Sequence, residues 1–576
     1  MSLIKVKINN REIEVEKGTL ILDAAKKIGI DIPTLCYHPD QEIKANCRVC
    51  AVEVEGLKTL QTACSTPVCD GIVIRTNSEK VREARKVNVE LLLANHYMSC
   101  TTCIRNGNCS LQKIAAELGI RESRFENVMV RQDIDDSSPS IVRNQNKCIK
   151  CGRCIQVCDS IQGLRILDYT GRSNTSEVKP AFGKFLNDVS CVACGQCSSI
   201  CPVAAITEKE DIERVWEAIN DPDKFVVVQT APAVRVSIGE EFGLEPGSIV
   251  TGKLVAALRA LGFDRVYDTD FTADLTIIEE GHELLKRLKE GGRLPMLTSC
   301  SPGWINFIEQ YYPDLLPHLS TCKSPQQMFG ALSKGYLPQK IGKRPQDIFS
   351  VSVMPCTAKK FEAQRKEMRV YEDTPDVDAV LTTRELARML RQAGIDFAGL
   401  EEEEYDAPFG ITTGAAVIFG ATGGVMEAAL RTVYEVVTGK TLKSVDFTDV
   451  RGLEGIKEAE IDLGGTPIKV MVAHTLSKAR TVMEKLKAGE LKDYAFIEVM
   501  CCPGGCIGGG GQPYGITDEL RQRRVDAIYK ADKNLFLRKS HDNPAIKKLY
   551  KDFLIEPLGE KSHHLLHTEY YKRNKS

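Results

Sequence analysis

The stretches CIKCGRCIQVCD (148–159) and CVACGQCSSICP (191–202) repeat one spacing, C-x2-C-x2-C-x3-C. Thiols that recur every third residue converge on one tight turn, and the fourth follows one helical turn later. This is the spacing of paired four-iron clusters, in which the fourth cysteine of each run ligates the cluster of the other. One cluster is then assigned Cys148, Cys151, Cys154 and Cys201, and its companion Cys191, Cys194, Cys197 and Cys158. Pro202 follows the second run as the pattern requires, whereas Asp159 takes that place after the first. The span 141–208 is therefore an internal repeat with an insert between its halves, and DDSSPS (135–140) reads as the linker leading into it.

Upstream stand two further groups. Cys36, Cys47, Cys50 and Cys64 form C-x10-C-x2-C-x13-C. A two-iron cluster needs four thiolates from one loop region, and the plant-type layout has the same C-x2-C centre with a shorter lead. The rival reading, a zinc ribbon, ordinarily shows two C-x2-C knuckles, and only one is present. The flanking IKVKIN and REIEVE, split by a turn at Asn9–Asn10, predict two strands, and GTLILDAAKKIGI predicts a short helix. Together these suit a β-grasp 2Fe–2S domain over residues 1–78. His96, Cys100, Cys103 and Cys109 form H-x3-C-x2-C-x5-C. One imidazole and three thiolates hold either a 4Fe–4S cluster or Zn²⁺, and the neighbouring cluster motifs favour iron–sulfur. Residues 79–125 read as a small helical domain around that group, and 126–209 as a two-cluster ferredoxin-like domain. Four accessory clusters in all, one 2Fe–2S and three 4Fe–4S, amount to an electron wire.

Composition agrees with this and excludes other classes. The chain holds 22 cysteines in 576 residues, too many and too tightly grouped for a disulfide scaffold in a chain of this length. A formal net charge of −2 without a basic run argues against a nucleic-acid partner. No apolar stretch approaches the roughly 18 residues that span a bilayer, and MSLIKVKINN lacks a signal-peptide core. No membrane association and a cytoplasmic location are therefore expected.

From about residue 210 the pattern changes. KFVVVQ, DIFSVSVMP, IKVMVAH and YAFIEVM are short apolar runs, alternating with helical stretches such as TGKLVAALRALG and TTRELARMLRQAG. Buried strands in α/β layers follow, as one large unit or two packed lobes over 210–576. The fold class is thus multidomain α/β and α+β: a β-grasp 2Fe–2S domain, a helical His–cysteine domain, a two-cluster ferredoxin-like domain and a two-lobed α/β catalytic domain.

Three segments of that half carry thiols just after strand-like runs: TSCSPGW (298–304), MPCTAKKFE (354–362) and EVMCCPGGCIGGGGQP (498–513). Their glycines let backbone approach a bulky inorganic group. These segments resemble the signature motifs of the iron-only ([FeFe]) hydrogenases, and the resemblance covers essentially the whole chain. It implies an H-cluster, a 4Fe–4S cubane bridged by a cysteine to a two-iron subsite with CO, CN⁻ and azadithiolate, and the reaction 2H⁺ + 2e⁻ ⇌ H₂. By the motif match, Cys356 and Cys502 correspond to cubane ligands and Cys506 to the bridging cysteine. The family's first motif usually reads TSCCPxW; here the second cysteine is replaced by Ser301, while an additional thiol, Cys501, precedes Cys502. Cys300, Cys501 and Ser301 are the candidates for the fourth place, and a compensating thiolate is expected because a neutral hydroxyl is a poor iron ligand.

DLTIIEEGHELLKRLKE (274–290) reads as an amphipathic helix with Glu280, Glu283 and Arg287 on one face, ordinarily a solvated one. The resemblance implies instead a proton relay through Cys300, Glu280, Ser320, Glu283 and Arg287. It also implies that Lys359 hydrogen-bonds a cyanide, that Ala231–Pro232 contacts the subsite through its backbone, and that Met354 packs on it. Cys69 and Cys322 are expected to have no ligand role, and His563, His564 and His567 of HHLLH to lie on a terminal helix packed on the core.

No Walker-type G-x-x-x-x-G-K-[ST] sequence or G-x-G-x-x-G in strand–turn–helix context is seen, so a flavin- and NAD(P)-binding partner subunit is expected to supply any nucleotide chemistry. The first two cluster domains resemble those of NADH dehydrogenase input subunits. The reading favoured is the hydrogenase subunit of a hetero-oligomer coupling H₂ to NAD(P) and ferredoxin, with electron bifurcation. The alternatives are a stand-alone ferredoxin-dependent enzyme and a non-catalytic H₂ sensor or electron-transfer subunit.

Overall fold

The computed structural model describes residues 2–573 apart from 372, 464 and 466. At the N-terminus five strands pair in the order Arg11–Glu16, Leu3–Ile8, Val73–Arg75, Ala51–Val54, Gln61–Thr62. Alternation along Leu3–Ile8 sets which face is buried: Ile4, Val6 and Ile8 point into the core, and Leu3, Lys5 and Lys7 outward. The two strands expected at the start are present, with Asn9 at φ 53° in their turn. The Cys36–Cys64 stretch holds two short strands, Ala51–Val54 and Gln61–Thr62. The helical region that follows is two helices, Glu79–Leu93, capped by the Ser78 hydroxyl, and Ser110–Glu117. Cys100 and Cys103 lie on the loop between them.

The repeat is visible in the backbone. Ile141–Arg143 pairs antiparallel with Ile206–Glu208, closing the two halves on each other. Each cysteine run turns through the same conformations: Lys150 and Ala193 at φ 54° and 60°, then Gly152 and Gly195 at 76° and 69°. DDSSPS is not a linker. Asp135 is 1% exposed, and its carboxylate accepts from Ser137 Oγ at 2.6 Å, the Leu186 amide at 2.9 Å and Arg143 at 3.4 Å. Polar residues that look solvent-seeking in sequence are here satisfied inside the domain. Asp135→Ala strands Arg143 as an uncompensated buried charge and is expected to cost about 3–5 kcal/mol, read as a fall in the denaturant midpoint of this domain.

The C-terminal half is two lobes, each built on a four-stranded sheet. One is all parallel, in the order Arg265–Asp268, Phe225–Thr230, Ile348–Met354, Ala379–Thr382. The other runs Met296–Leu297, Tyr494–Met500, Pro467–His474, Ile456–Asp462, with only the last pair antiparallel. Between them lies the helix Thr269–Glu290. The sequence pattern predicts a start at 274 and a solvated face, but the helix begins five residues earlier and is buried all round through its first three turns. Its apolar side chains serve two cores: Phe271, Leu275 and Ile278 pack with Phe329 and Phe409, while Ala273, Ile277 and Leu284 pack with Val425 and Phe496. A helix hydrophobic on two faces has little left for solvent, which is why Glu280 is only 2% exposed. Among the described residues no helix is long and apolar enough to cross a membrane.

Candidate active site

In layered α/β folds ligands collect beyond the carboxyl ends of the strands. Both sheets direct those ends to one place. The strand Phe225–Thr230 runs into Ala231–Pro232, Ile348–Met354 into Cys356, Tyr494–Met500 into Cys501 and Cys502, and Met296–Leu297 into Cys300. The result is a cavity lined by the thiols of Cys300, Cys356, Cys501, Cys502 and Cys506, with Cys194 of the second ferredoxin-like run beside them. Pro232, Met354, Lys359 and Ser301 share its wall, so every residue predicted for this centre lines it.

The glycines of the 504–511 loop are required by backbone crowding. A Cβ on Gly509 would lie 2.1 Å from the Pro355 carbonyl oxygen, and one on Gly505, itself at φ 92°, would lie 2.6 Å from the Thr422 amide nitrogen. The thiols bear the mark of concentrated negative charge. Burial, then Cys502, pushes Cys506 up to about 12, and burial, then Cys502 and Cys506, pushes Cys356 higher still. Cys502 goes the other way: the Cys501 thiol, and after it Gln196, donates to its sulfur and holds it below the usual range. Protein alone does not keep so many thiolates together, whereas a bound iron centre neutralises them. The donor set therefore fits an iron–sulfur group. Ser301 Oγ accepts from the Cys501 amide at 3.2 Å, which ties the hydroxyl to backbone and sets it beside the extra thiol.

Lys359 donates to Glu362 at 2.9 Å and to the Cys300 carbonyl at 3.2 Å, so its ammonium is fixed at the cavity edge. From Cys300 a line of polar side chains leads outward. The Cys300 thiol is pushed well above its usual range by burial and by the adjacent Glu280. Burial and the nearby Glu283 raise Glu280 to about 8, while a hydrogen bond with Ser320 opposes the shift. Ser320 Oγ donates to Glu283 at 2.8 Å, and Glu283 pairs with Arg287 at 2.6 Å. Glu283 and Arg287 open onto a surface cavity they share with Lys286, Glu290, Thr321 and His563. All five predicted relay residues are thus brought into one succession.

Sequence reasoning missed the packing around it. Cys322 lies within 3.9 Å of Glu283, and His567 bonds both Thr321, at 2.8 Å, and Glu279, at 3.2 Å. HHLLH does lie at the end of a terminal helix, Glu560–Leu566, packed on the core. No local signal links His567 to a carboxylate 288 residues away.

The accessory groups are also assembled. Cys201 joins Cys148, Cys151 and Cys154 around one hollow, and Cys158 lies among Cys191, Cys194 and Cys197. The nearby Cys47 thiol holds Cys36 down to about 5, and the Cys50 and Cys64 sulfurs are 3.4 Å apart. His96, Cys100, Cys103 and Cys109 ring a further hollow, in which the buried His96 Nδ1 has no hydrogen-bond partner. Burial lowers His96 to about 4, leaving a neutral imidazole able to ligate. These hollows are not strung in a line. The Cys36 loop meets the Cys148–Cys154 turn where Arg153 donates to the Tyr37 carbonyl, and the His96 loop meets the same unit where Arg105 donates to the Cys201 carbonyl at 3.0 Å and Lys147 to Cys103 at 3.3 Å.

Comparison with known proteins agrees with this arrangement. Residues 224–510 match the C-terminal domain of the iron only hydrogenase large subunit, and 518–573 match the iron hydrogenase small subunit. Residues 2–79 match a 2Fe-2S iron-sulfur cluster binding domain, 85–124 an NADH-ubiquinone oxidoreductase-G iron-sulfur binding region, and 138–207 the ferredoxin-like domain of NADH-quinone oxidoreductase subunit 3. The NADP-reducing hydrogenase subunit HndD of Solidesulfovibrio fructosivorans is 50% identical over the full length of both chains. Iron hydrogenase 1 of Clostridium pasteurianum is 42% identical over 98% of this chain and 99% of its own. Among solved structures, the [FeFe]-hydrogenase HydA1 from Chlamydomonas reinhardtii covers 63% of this chain and 99% of its own, at 44% identity and a TM-score of 0.57.

Proposed function

This chain belongs to the iron-only hydrogenases, and from that premise we propose that it interconverts protons and H₂ at an H-cluster held by Cys356, Cys501, Cys502 and Cys506, fed through four accessory clusters. The observation that carries this reading is the cavity at the strand ends, with its converging thiols and a polar succession from Cys300 to the surface. Bound there, the H-cluster supplies the redox chemistry of 2H⁺ + 2e⁻ ⇌ H₂. The chain's residues do the rest. Cys501 takes the fourth cubane position that Ser301 does not fill, since a thiolate binds iron and a backbone-tied hydroxyl does not. Lys359 presents a fixed cation to an anionic ligand. Pro232 and Met354 give the cavity an apolar wall that keeps bulk water out. Cys300 and Glu280, both neutral at pH 7, hold a proton beside the cavity, and Ser320, Glu283 and Arg287 exchange it with solvent.

The accessory set is one 2Fe–2S cluster on Cys36, Cys47, Cys50 and Cys64, a 4Fe–4S cluster on His96, Cys100, Cys103 and Cys109, and two on the ferredoxin-like runs. A neutral imidazole in place of a thiolate raises a cluster's potential. His96→Cys is therefore expected to keep the cluster and lower its midpoint potential, read by EPR-monitored titration.

The full-length similarity to a NADP-reducing hydrogenase subunit supports the reading that this chain works in a hetero-oligomer whose flavin- and NAD(P)-binding partners, with ferredoxin, exchange its electrons, including by bifurcation. The activity is tested by H₂ evolution from reduced viologen after maturation with the two-iron subsite; a fully loaded protein that evolves no H₂ overturns it. The coupling is tested by native-mass co-purification, where a chain that comes alone from its source overturns the hetero-oligomer.

A further inference from the structure

Glu283, Cys322 and His567 come from three distant parts of the chain, and each brings one ligand atom to within 4.8 Å of the others. Glu283 stands on the helix Thr269–Glu290. Cys322 and His567 face each other across an antiparallel backbone bridge, secured where the Lys323 amide donates to the Leu566 carbonyl at 2.7 Å and the Thr568 amide to the Thr321 carbonyl at 2.8 Å. All three side chains are buried, so packing and not solvent sets their positions. The two oxygens of Glu283 have separate tasks. Oε1 accepts from Arg287 at 2.6 Å, while Oε2 accepts from the Ser320 hydroxyl at 2.8 Å and lies 3.9 Å from Cys322 Sγ. His567 is oriented by a second carboxylate: its Nε2 lies 3.2 Å from Glu279 Oε2, and its Nδ1 lies 2.8 Å from Thr321 Oγ1. In the tautomer that gives Nε2–H to Glu279, Nδ1 keeps a lone pair. A carboxylate behind an imidazole is the arrangement that orients a metal-binding histidine and raises its basicity. Glu279 is itself fixed by the Tyr550 hydroxyl and the Leu558 amide.

A carboxylate oxygen, a thiol sulfur and an imidazole nitrogen are the donors of a borderline cation such as Zn²⁺, not of Mg²⁺ or Ca²⁺, which take oxygen. A way in from solvent is present. Glu283 and Thr321 line the surface cavity that also holds His563, whose ring stacks on that of His567 at 4.6 Å. We propose that Glu283, Cys322 and His567 form a Zn²⁺ site at the outer end of the polar succession, and that zinc bound there halts proton exchange by taking the Glu283 oxygen that Ser320 addresses. Binding breaks the Cys322 S–H bond and forms an S–Zn bond, and the released proton leaves through the cavity. No electron moves. Arg287 keeps Oε1, and a fourth position stays open to water. The halt rests on the proton path proposed above; the site itself does not.

The test uses the full chain with its clusters loaded, titrated with ZnCl₂ and read at the zinc X-ray absorption edge, which iron does not obscure. The wild type is expected to retain one zinc per chain through desalting, with sulfur among its scatterers and its iron content unchanged. Cys322→Ser is expected to lose that zinc, and Glu279→Gln to weaken its retention by about 10–100-fold, the usual effect of removing the partner of a ligating histidine. Zinc held without sulfur, or held equally by Cys322→Ser, overturns the site. Should Cys322→Ser not load, His567→Gln, which keeps a donor toward Glu279, is expected to lose the zinc, and undiminished retention there overturns the site equally. In the wild type, zinc is expected to lower H₂ evolution by about 10²-fold or more, reversibly with EDTA, and Cys322→Ser is expected to be insensitive to it. Zinc retained with unchanged H₂ evolution overturns the halt. A loaded protein that evolves no H₂ even without zinc overturns the activity reading and the halt with it, while the site stands or falls on the absorption edge.

Discussion

Glu280→Gln is expected to lower H₂ evolution by about 10²–10⁴-fold, the usual contribution of a positioned proton donor or acceptor, with the EPR signals of every cluster unchanged. Glutamine keeps the shape and the hydrogen bond toward Ser320 but holds no exchangeable acid proton. The wild-type carboxyl, raised to about 8 by burial and Glu283, is neutral through most of the working range and gives up its proton above it. Turnover in the wild type should therefore fall off above about pH 8, and the residual turnover of the variant should lack that limb. Linkage gives a second readout with a definite sign. A carboxyl whose folded value is raised above its ordinary 4.5 stabilises the fold while protonated, and the wild type loses that contribution as pH climbs from about 4.5 to 8. Glu280→Gln removes this slope, seen as a flatter dependence of the denaturant midpoint on pH. Unchanged H₂ evolution in a loaded variant excludes Glu280 from the proton path.

Cys506→Ala is expected to abolish H₂ evolution altogether, with the accessory cluster signals retained and the two-iron subsite no longer bound. The thiol sits on the short turn Cys506–Gly508, whose neighbours are glycines pinned by backbone contacts. No side chain of that turn is able to replace it. Infrared bands of the CO and CN⁻ ligands in the matured protein check the result, and their persistence at wild-type intensity overturns the bridging role.

Much of this centre is legible in the sequence because cluster ligation is a local code. A tight turn needs cysteines three and four residues apart, and that spacing survives without knowledge of the fold. The strand runs are equally readable, since KFVVVQ and YAFIEVM are too apolar to lie anywhere but inside. What the sequence hides is everything decided by distant packing. DDSSPS looks like a tether because its partners, Arg143 and the Leu186 amide, are supplied by the folded domain. The helix carrying Glu280 looks half-solvated because its second apolar face reads as scattered residues until two lobes close on it. The contact of the 193–196 turn with the 508–510 loop joins residues some three hundred positions apart and leaves only glycines as its trace.

The way the Cys36 and His96 loops both abut the Cys148–Cys154 turn has a consequence for how the protein handles current. On the cluster assignment proposed above, the two inputs would act as parallel conductors feeding one node, not as resistors in series. Oxidation of the exposed Cys100 is then expected to disconnect only a donor that enters through the His96 branch, leaving supply through the Cys36 branch intact.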